Sequence, residues 1–157
     1  MKKMIRLFVF LVCCFAAGNA IADEATYKGA KKCKVCHIKI YKTWKVTKHA
    51  TAFDRLSEKE KQDPKCIECH TTGNDIKFPG VQCEACHAPG SKFTSAKIMN
   101  RKKFKANHDL QEKLALEAGL IIAPDEQSCK KCHNEKSPHY EGFDFKARYE
   151  EVKHDQK

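Results

Sequence analysis

The 157-residue chain is short of the side chains that make a conventional core. Leu, Ile, Val and Phe are sparse after residue 22, there is one Trp, and Met99 is the only Met after that point. Packed aliphatic side chains alone do not hold such a chain together, which excludes a large soluble enzyme domain. No apolar run approaches the roughly 20 residues of a membrane-spanning helix, which excludes a polytopic membrane protein. Acid is missing from residues 25–53 and again from residues 85–108. No cluster of acids and bases argues for dedicated catalysis. What is abundant is cysteine, with ten, and basic charge, with a formal net charge of +10.

Residues 1–22 read as a secretory signal. Lys2, Lys3 and Arg6 form its basic start, residues 7–17 its apolar run, and Ala20-Ile21-Ala22 a small-x-small cleavage site. An uncleaved N-terminal anchor is the alternative, and the run is short for one. Cys13 and Cys14 lie in the run, and neither follows the small residue that a lipoprotein signal prefers. Cleavage removes the three basic groups and takes the formal charge from +10 to +7. The mature part, residues 23–157, is expected to be one exported domain, in a compartment where thiols are oxidised or capped.

The remaining eight cysteines obey one rule. They form Cys33-x-x-Cys36-His37, Cys66-x-x-Cys69-His70, Cys83-x-x-Cys86-His87 and Cys129-x-x-Cys132-His133. This is the attachment motif of c-type haem, four times. Two thiols add across the two vinyl groups of a haem, and the adjacent His becomes the proximal iron ligand. Zinc ribbons and disulfides also use paired cysteines. Neither explains a His after every pair, and four chance placements have a probability of roughly one in 10⁵. Four covalent haems then form the core, and the polypeptide wraps them in short helices and loops. Haem-free chain is not expected to fold.

Four histidines lie outside the motifs: His49, His108, His139 and His154. Four haems and four spare histidines permit bis-His ligation throughout. Tyr41, Trp44, His49, Phe53 and Leu56 recur at helical steps, which predicts a helix over residues 37–56. If that helix is continuous, His49 lies about 18 Å beyond His37 along its axis. Axial nitrogens of one iron are only about 4 Å apart, so His49 must serve another haem than that of His37. His108 precedes a helix start in which Asp109 and Glu112 read as a capping box. Leu110, Leu114 and Ala118 form its apolar stripe, and Gly119 its stop. His154 follows the aromatic run Phe143, Phe145 and Tyr149. His139 follows Pro138 and completes the count of ligands, with an exposed loop His as the alternative. The motif spacings of 33, 17 and 46 residues exclude a solenoid. Asp63-Pro64, Phe78-Pro79-Gly80 and Ala123-Pro124-Asp125 punctuate the approach to the last three motifs.

Taken together these residues resemble the tetrahaem cytochromes of the cytochrome c-554 type. The matching blocks are Tyr27-x-Gly29, then Trp44 with Lys48-His49-Ala50, then Cys69-His70-x-Thr72-Gly73. Next comes Phe78-x-Gly80-Val81-Gln82-Cys83-Glu84-x-Cys86-His87, followed by Pro89-Gly90-Ser91. The last is Cys132-His133-Asn134 with Ser137-Pro138, Phe143-Asp144-Phe145 and His154. The resemblance implies a mainly α fold with extensive loops and closely packed haem pairs. It implies that His49 caps the third haem, held by His87, while His108 and His154 cap others. In the founding type the second haem, here that of His70, is five-coordinate. Relatives that polymerise into filaments have every haem six-coordinate. Ala88 departs from the family, which has Gly there, and no His follows shortly after Ser91.

The function these readings imply is electron transport without catalysis. The partners are redox proteins: a dehydrogenase or quinol oxidase as donor and a reductase as acceptor. Nucleic acid is not a partner, and the mature chain does not insert stably in a membrane. The expected location is the periplasm, with the cell surface or the extracellular space as the alternative. Eight Lys in residues 25–53 and six basic residues in 85–108 offset haem propionates or form a docking face for an acidic partner. A ferric bis-His haem with ionised propionates carries about −1, so the oxidised protein is near +3. Two other classes compete. One is a subunit of an extracellular cytochrome filament, with self-assembly through His139 or His154. The other is a reductase of a small nitrogen oxide at an open haem of His70.

Overall fold

The computed structural model describes residues 23–154. The expected signal, residues 1–22, lies outside them, as do the last three residues. The order of elements is α1 (Ala30–Lys34), α2 (Ile38–Trp44), α3 (Pro64–His70), β1 (Thr71–Thr72), β2 (Asp75–Pro79), α4 (Cys83–His87), α5 (Arg101–Ala106), α6 (His108–Glu117), α7 (Glu126–Lys130) and α8 (Phe145–Val152). This is the mainly helical class with long loops that the sequence implies. The longest helix, α6, has 10 residues. Isolated helices shorter than about 12–15 residues are marginal in water, so each must be held from outside.

Part of the hold is local. Asp63, Asn100, Asn107, Asp125 and Asp144 each accept a hydrogen bond from a first-turn N–H of the helix that follows. Such caps are worth about 1 kcal/mol each. Very little of the hold is apolar. Among the described residues the buried apolar side chains are Ala30, Leu56, Phe93 and Ala115. Large apolar groups stay on the surface, with Val46 86% and Val35 73% exposed.

The rest is a set of buried polar staples. Glu84, 3% exposed, lies inside the third motif. Its carboxylate accepts from the N–H of Lys28 (2.9 and 3.0 Å), Gly29 (2.6 Å) and Gly90 (2.6 Å). It thereby ties the start of the described chain to the turn after α4. A second staple involves Trp44, whose Nε1–H donates to the Val81 carbonyl at 2.9 Å. The Val81 N–H donates to the His49 carbonyl at 2.9 Å, and the Gly80 N–H to the His70 carbonyl at 3.0 Å. These bonds bring together three blocks far apart in sequence.

Three local expectations are corrected. The helix expected over residues 37–56 stops at Trp44 and gives way to turns and a short 3₁₀ segment, Phe53–Arg55. The hydroxyl of Thr47 donates to the Trp44 carbonyl at 2.7 Å and so takes an acceptor that a continuing helix needs. The cap of α6 is Asn107, which accepts from the Leu110 N–H at 3.0 Å, so Asp109 sits inside the first turn. The buried face of α6 is Gln111 and Ala115, and Leu110 is 48% exposed. The segment around Phe78-Pro79 is a strand rather than a turn. Strands β1 and β2 pair antiparallel with Thr72 opposite Asp75, across the two-residue loop Gly73-Asn74. Both loop residues have positive φ, 69° and 56°, as a type I′ turn requires.

Two substitutions test this account. Replacing Glu84 with Ala strands the N–H groups of Lys28, Gly29 and Gly90, and is expected to cost about 3 kcal/mol or more in denaturant unfolding of the holoprotein. Ala88 has φ 69° and ψ 164°, a region open essentially to glycine. Ala88→Gly is therefore expected to raise stability by about 1 kcal/mol, the relieved strain exceeding the added chain entropy. A lower unfolding midpoint would refute the strain.

Candidate haem sites

Each motif occupies one turn of helix or its immediate end. Residues i, i+3 and i+4 share a helix face, so both thiols and the imidazole emerge on one side. The first and fourth motifs repeat the same bonds. The N–H of Cys36 and of His37 donate to the Cys33 carbonyl at 3.2 and 3.0 Å, and those of Cys132 and His133 to the Cys129 carbonyl at 3.2 and 3.0 Å. All eight cysteines are free of disulfides and at least partly accessible.

The motifs also meet one another. The thiol of Cys33 hydrogen-bonds to Cys83, which with burial pushes the Cys33 thiol well up. Burial pushes up Cys132, and a hydrogen bond with Cys69 adds to it. Burial likewise raises Cys86, and Cys129 and Cys83 add to it. The first motif therefore adjoins the third, the third adjoins the fourth, and the fourth adjoins the second.

Two pairs of histidines face each other. The rings of His49 and His133 are 6.1 Å apart between centroids, and those of His87 and His154 are 5.7 Å apart. Two imidazoles on opposite sides of one metal, with nitrogens about 2 Å from it, have centroids roughly 6 Å apart. Desolvation lowers the pKa of His37, His49 and His133, so these rings are neutral near pH 7. Neutral imidazole is the form that binds metal. The Nδ1 atoms of His70 and His87 meet the carbonyls of Ala52 (2.7 Å) and Ile121 (2.6 Å). Such a bond fixes the ring and leaves Nε2 to ligate. His133 is also stacked on Phe143, with centroids 4.8 Å apart and planes at 16°.

The pairing differs from what the resemblance implies. His49 stands against His133 of the fourth motif, while His87 faces His154. The break after Trp44 and the bond from Val81 to the His49 carbonyl hold the His49 segment beside the third motif, and the ring nevertheless lies against His133. His108 is not drawn toward a motif. Its side chain is 63% exposed, its ring meets Phe104 edge-on at 5.6 Å, and its Nδ1 lies 3.7 and 3.8 Å from carboxylate oxygens of Asp109 and Glu112. His139 is exposed, and it shares with His70 an influence on the Glu60 carboxylate. Burial lowers the pKa of His37, and His87 adds to it.

The donor set suits a macrocycle better than a bare ion. Among the described residues no three His, Cys, Asp or Glu side chains converge as a metal cage. Two facing imidazoles suffice where a porphyrin supplies the other four donors. Sequence reasoning missed the anchoring carbonyls of Ala52 and Ile121, since a backbone acceptor carries no residue signature. It also missed Phe143 as the stacking partner of His133, although that residue belongs to the aromatic run it singled out.

The family model described as cytochrome c554 and c-prime matches residues 32–88, a span that holds the first three motifs. Cytochrome c-554 of Nitrosomonas europaea is 27% identical over 176 residues, covering 94% of this chain and 73% of that protein. The solved structure of the reduced state of cytochrome c554 from the same organism superposes with a TM-score of 0.54 at 27% identity. The match covers 73% of this chain and 69% of the other. The chain is thus similar over most of its length to cytochrome c-554, a likeness that supports a multihaem c-type cytochrome of electron transfer with covalently bound haem c. No helix among the described residues is long and apolar enough to cross a membrane.

One residue links the fold to the site. A Cβ at Gly80, whose φ is +79°, would lie 2.5 Å from the Ala50 carbonyl oxygen and 3.0 Å from that of His49. Gly80→Ala is expected to push the His49 segment off His133. Loss of contacts between the two rings in the NMR spectrum of the holoprotein would report it, and retained contacts would show that the backbone yields elsewhere.

Proposed function

We propose that this chain is an exported tetrahaem cytochrome that carries electrons between redox proteins of a respiratory chain, in the periplasm. The observation that carries the reading is the double pairing of histidine rings, at 5.7 and 6.1 Å, beside cysteine pairs that adjoin in the order first, third, fourth, second. Haem iron supplies reversible one-electron exchange when bound. The chain's residues do the rest. Cys33, Cys36, Cys66, Cys69, Cys83, Cys86, Cys129 and Cys132 anchor four haems. His37, His70, His87 and His133 are the proximal ligands.

His49 and His154 are the distal ligands opposite His133 and His87. His139, in the neighbourhood of Glu60 and His70, serves the second motif. His108 is left for the first motif, and it reaches there only if its side chain turns away from Asp109 and Glu112. Ligands drawn from remote parts of the chain tie one haem's wrapping to another's. Such rigidity keeps the iron environment unchanged between oxidation states, which favours a carrier over a catalyst.

The test is the visible spectrum of the dithionite-reduced holoprotein before and after carbon monoxide. The expected result is a sharp c-type spectrum that the gas leaves unchanged. His49→Ala and His154→Ala are each expected to open one iron, so that about a quarter of the Soret intensity then shifts. A shift of that size in the unaltered protein would remove His139 from the ligands and make small-molecule chemistry at the haem of His70 the next thing to test.

A further inference from the structure

The haem sites differ in what surrounds them. The first motif, Cys33, Cys36 and His37, stands in a stretch of chain without acid. Around these lie Lys28, Lys31, Lys32, Lys34, Lys39, Lys42, Lys45 and Lys48, all exposed. They sit on α1, on α2, which packs against it, and on the turns that flank them. Residues 25–53 contain no acid to neutralise them. None of the eight enters an ion pair within 4.0 Å among the described residues, although lysines elsewhere pair with Glu58, Glu117, Glu126 and Glu150. Glu84, which bonds the residues just before α1, has its oxygens taken by backbone N–H groups.

Unpaired lysines spread over a surface resist burial against a neutral or basic partner. Against an acidic one they steer encounter and suppress wrong orientations. We propose that the face formed by α1, α2 and the turn after Trp44 is the docking port for an acidic redox protein, so that electrons enter or leave through the haem of Cys33, Cys36 and His37. The proposal rests on the electron-carrier reading above and adds the place of exchange and the sign of the partner's charge. The step is a single electron transfer: the partner's reduced centre loses one electron and one ferric iron of this protein becomes ferrous, with no bond made or broken.

A reduced [2Fe–2S] ferredoxin, a small acidic one-electron donor, serves as the probe for the holoprotein. At low ionic strength the second-order rate of haem reduction is expected to fall at least tenfold in the variant Lys31→Glu, Lys34→Glu, Lys39→Glu, Lys42→Glu, and to lose most of its salt dependence. The variant Lys97→Glu, Lys102→Glu, Lys103→Glu, Lys105→Glu changes net charge equally at the other basic stretch and is expected to alter the rate less than threefold. Titration with oxidised ferredoxin, followed by backbone amide NMR, is expected to move the signals of residues 28–48 first. Equal rate effects in both variants, or shifts centred on residues 92–105, would overturn the proposal. Each variant must keep its c-type spectrum and its rate of reduction by dithionite. A chain that dithionite reduces but ferredoxin reaches without regard to these lysines refutes the port alone, whereas one that dithionite cannot reduce refutes the carrier reading.

Discussion

Four times along this chain one turn of helix, or the turn that ends it, brings two thiols and an imidazole together, and the rest of the structure serves that turn. Residues three and four apart share a face in any α-helix, so the motif needs only a short helix whose end is stabilised. Longer helices would bring apolar stripes that have nothing to pack on. The chain instead caps its helices with Asp and Asn, stops them within ten residues and moves to the next attachment point. Covalent haem supplies the interior that four buried apolar side chains cannot.

Without that interior the polypeptide is joined by polar bonds at a few fixed places. Glu84 is the clearest case, a buried carboxylate that holds three backbone N–H groups, two from the start of the described chain and one from the turn after α4. The bonds among Trp44, His49, His70, Gly80 and Val81 do the same for the middle. Directional bonds of this kind give up a fixed geometry reluctantly, which an oily core does not. A protein whose cofactors must hold their mutual positions gains from joints of the first sort.

Much of this was legible in the sequence. The attachment motifs are covalent chemistry written at fixed spacing, and the poverty of aliphatic residues already indicated an interior made of something else. The blocks around Trp44, His49 and Gly80 stood out as a set, and they meet in space. The limits are equally physical. Helical periodicity from Tyr41 to Leu56 continued past the point where the Thr47 hydroxyl ends the helix, because a side-chain bond to the backbone does not disturb an apolar pattern. Gly73-Asn74 was a readable hairpin signal, hidden by a two-residue strand too short to show alternation. Which distal imidazole meets which motif depends on how remote segments cross, and no local pattern records that. His108 followed a sound local rule for a helix start and yet faces its own helix's carboxylates.

The crossing has a consequence for how the molecule is made. His49 and His133 are 84 residues apart in sequence, and His87 and His154 are 67 apart. Contacts of such separation close late, because the intervening loop must first be ordered. A chain made from its N-terminus offers the first three attachment motifs before either ring from the last third has emerged. Its assembly is therefore a matter of waiting: the early attachment points spend the interval without their opposite imidazoles, and the final quarter of the chain acts as the clasp that closes them together.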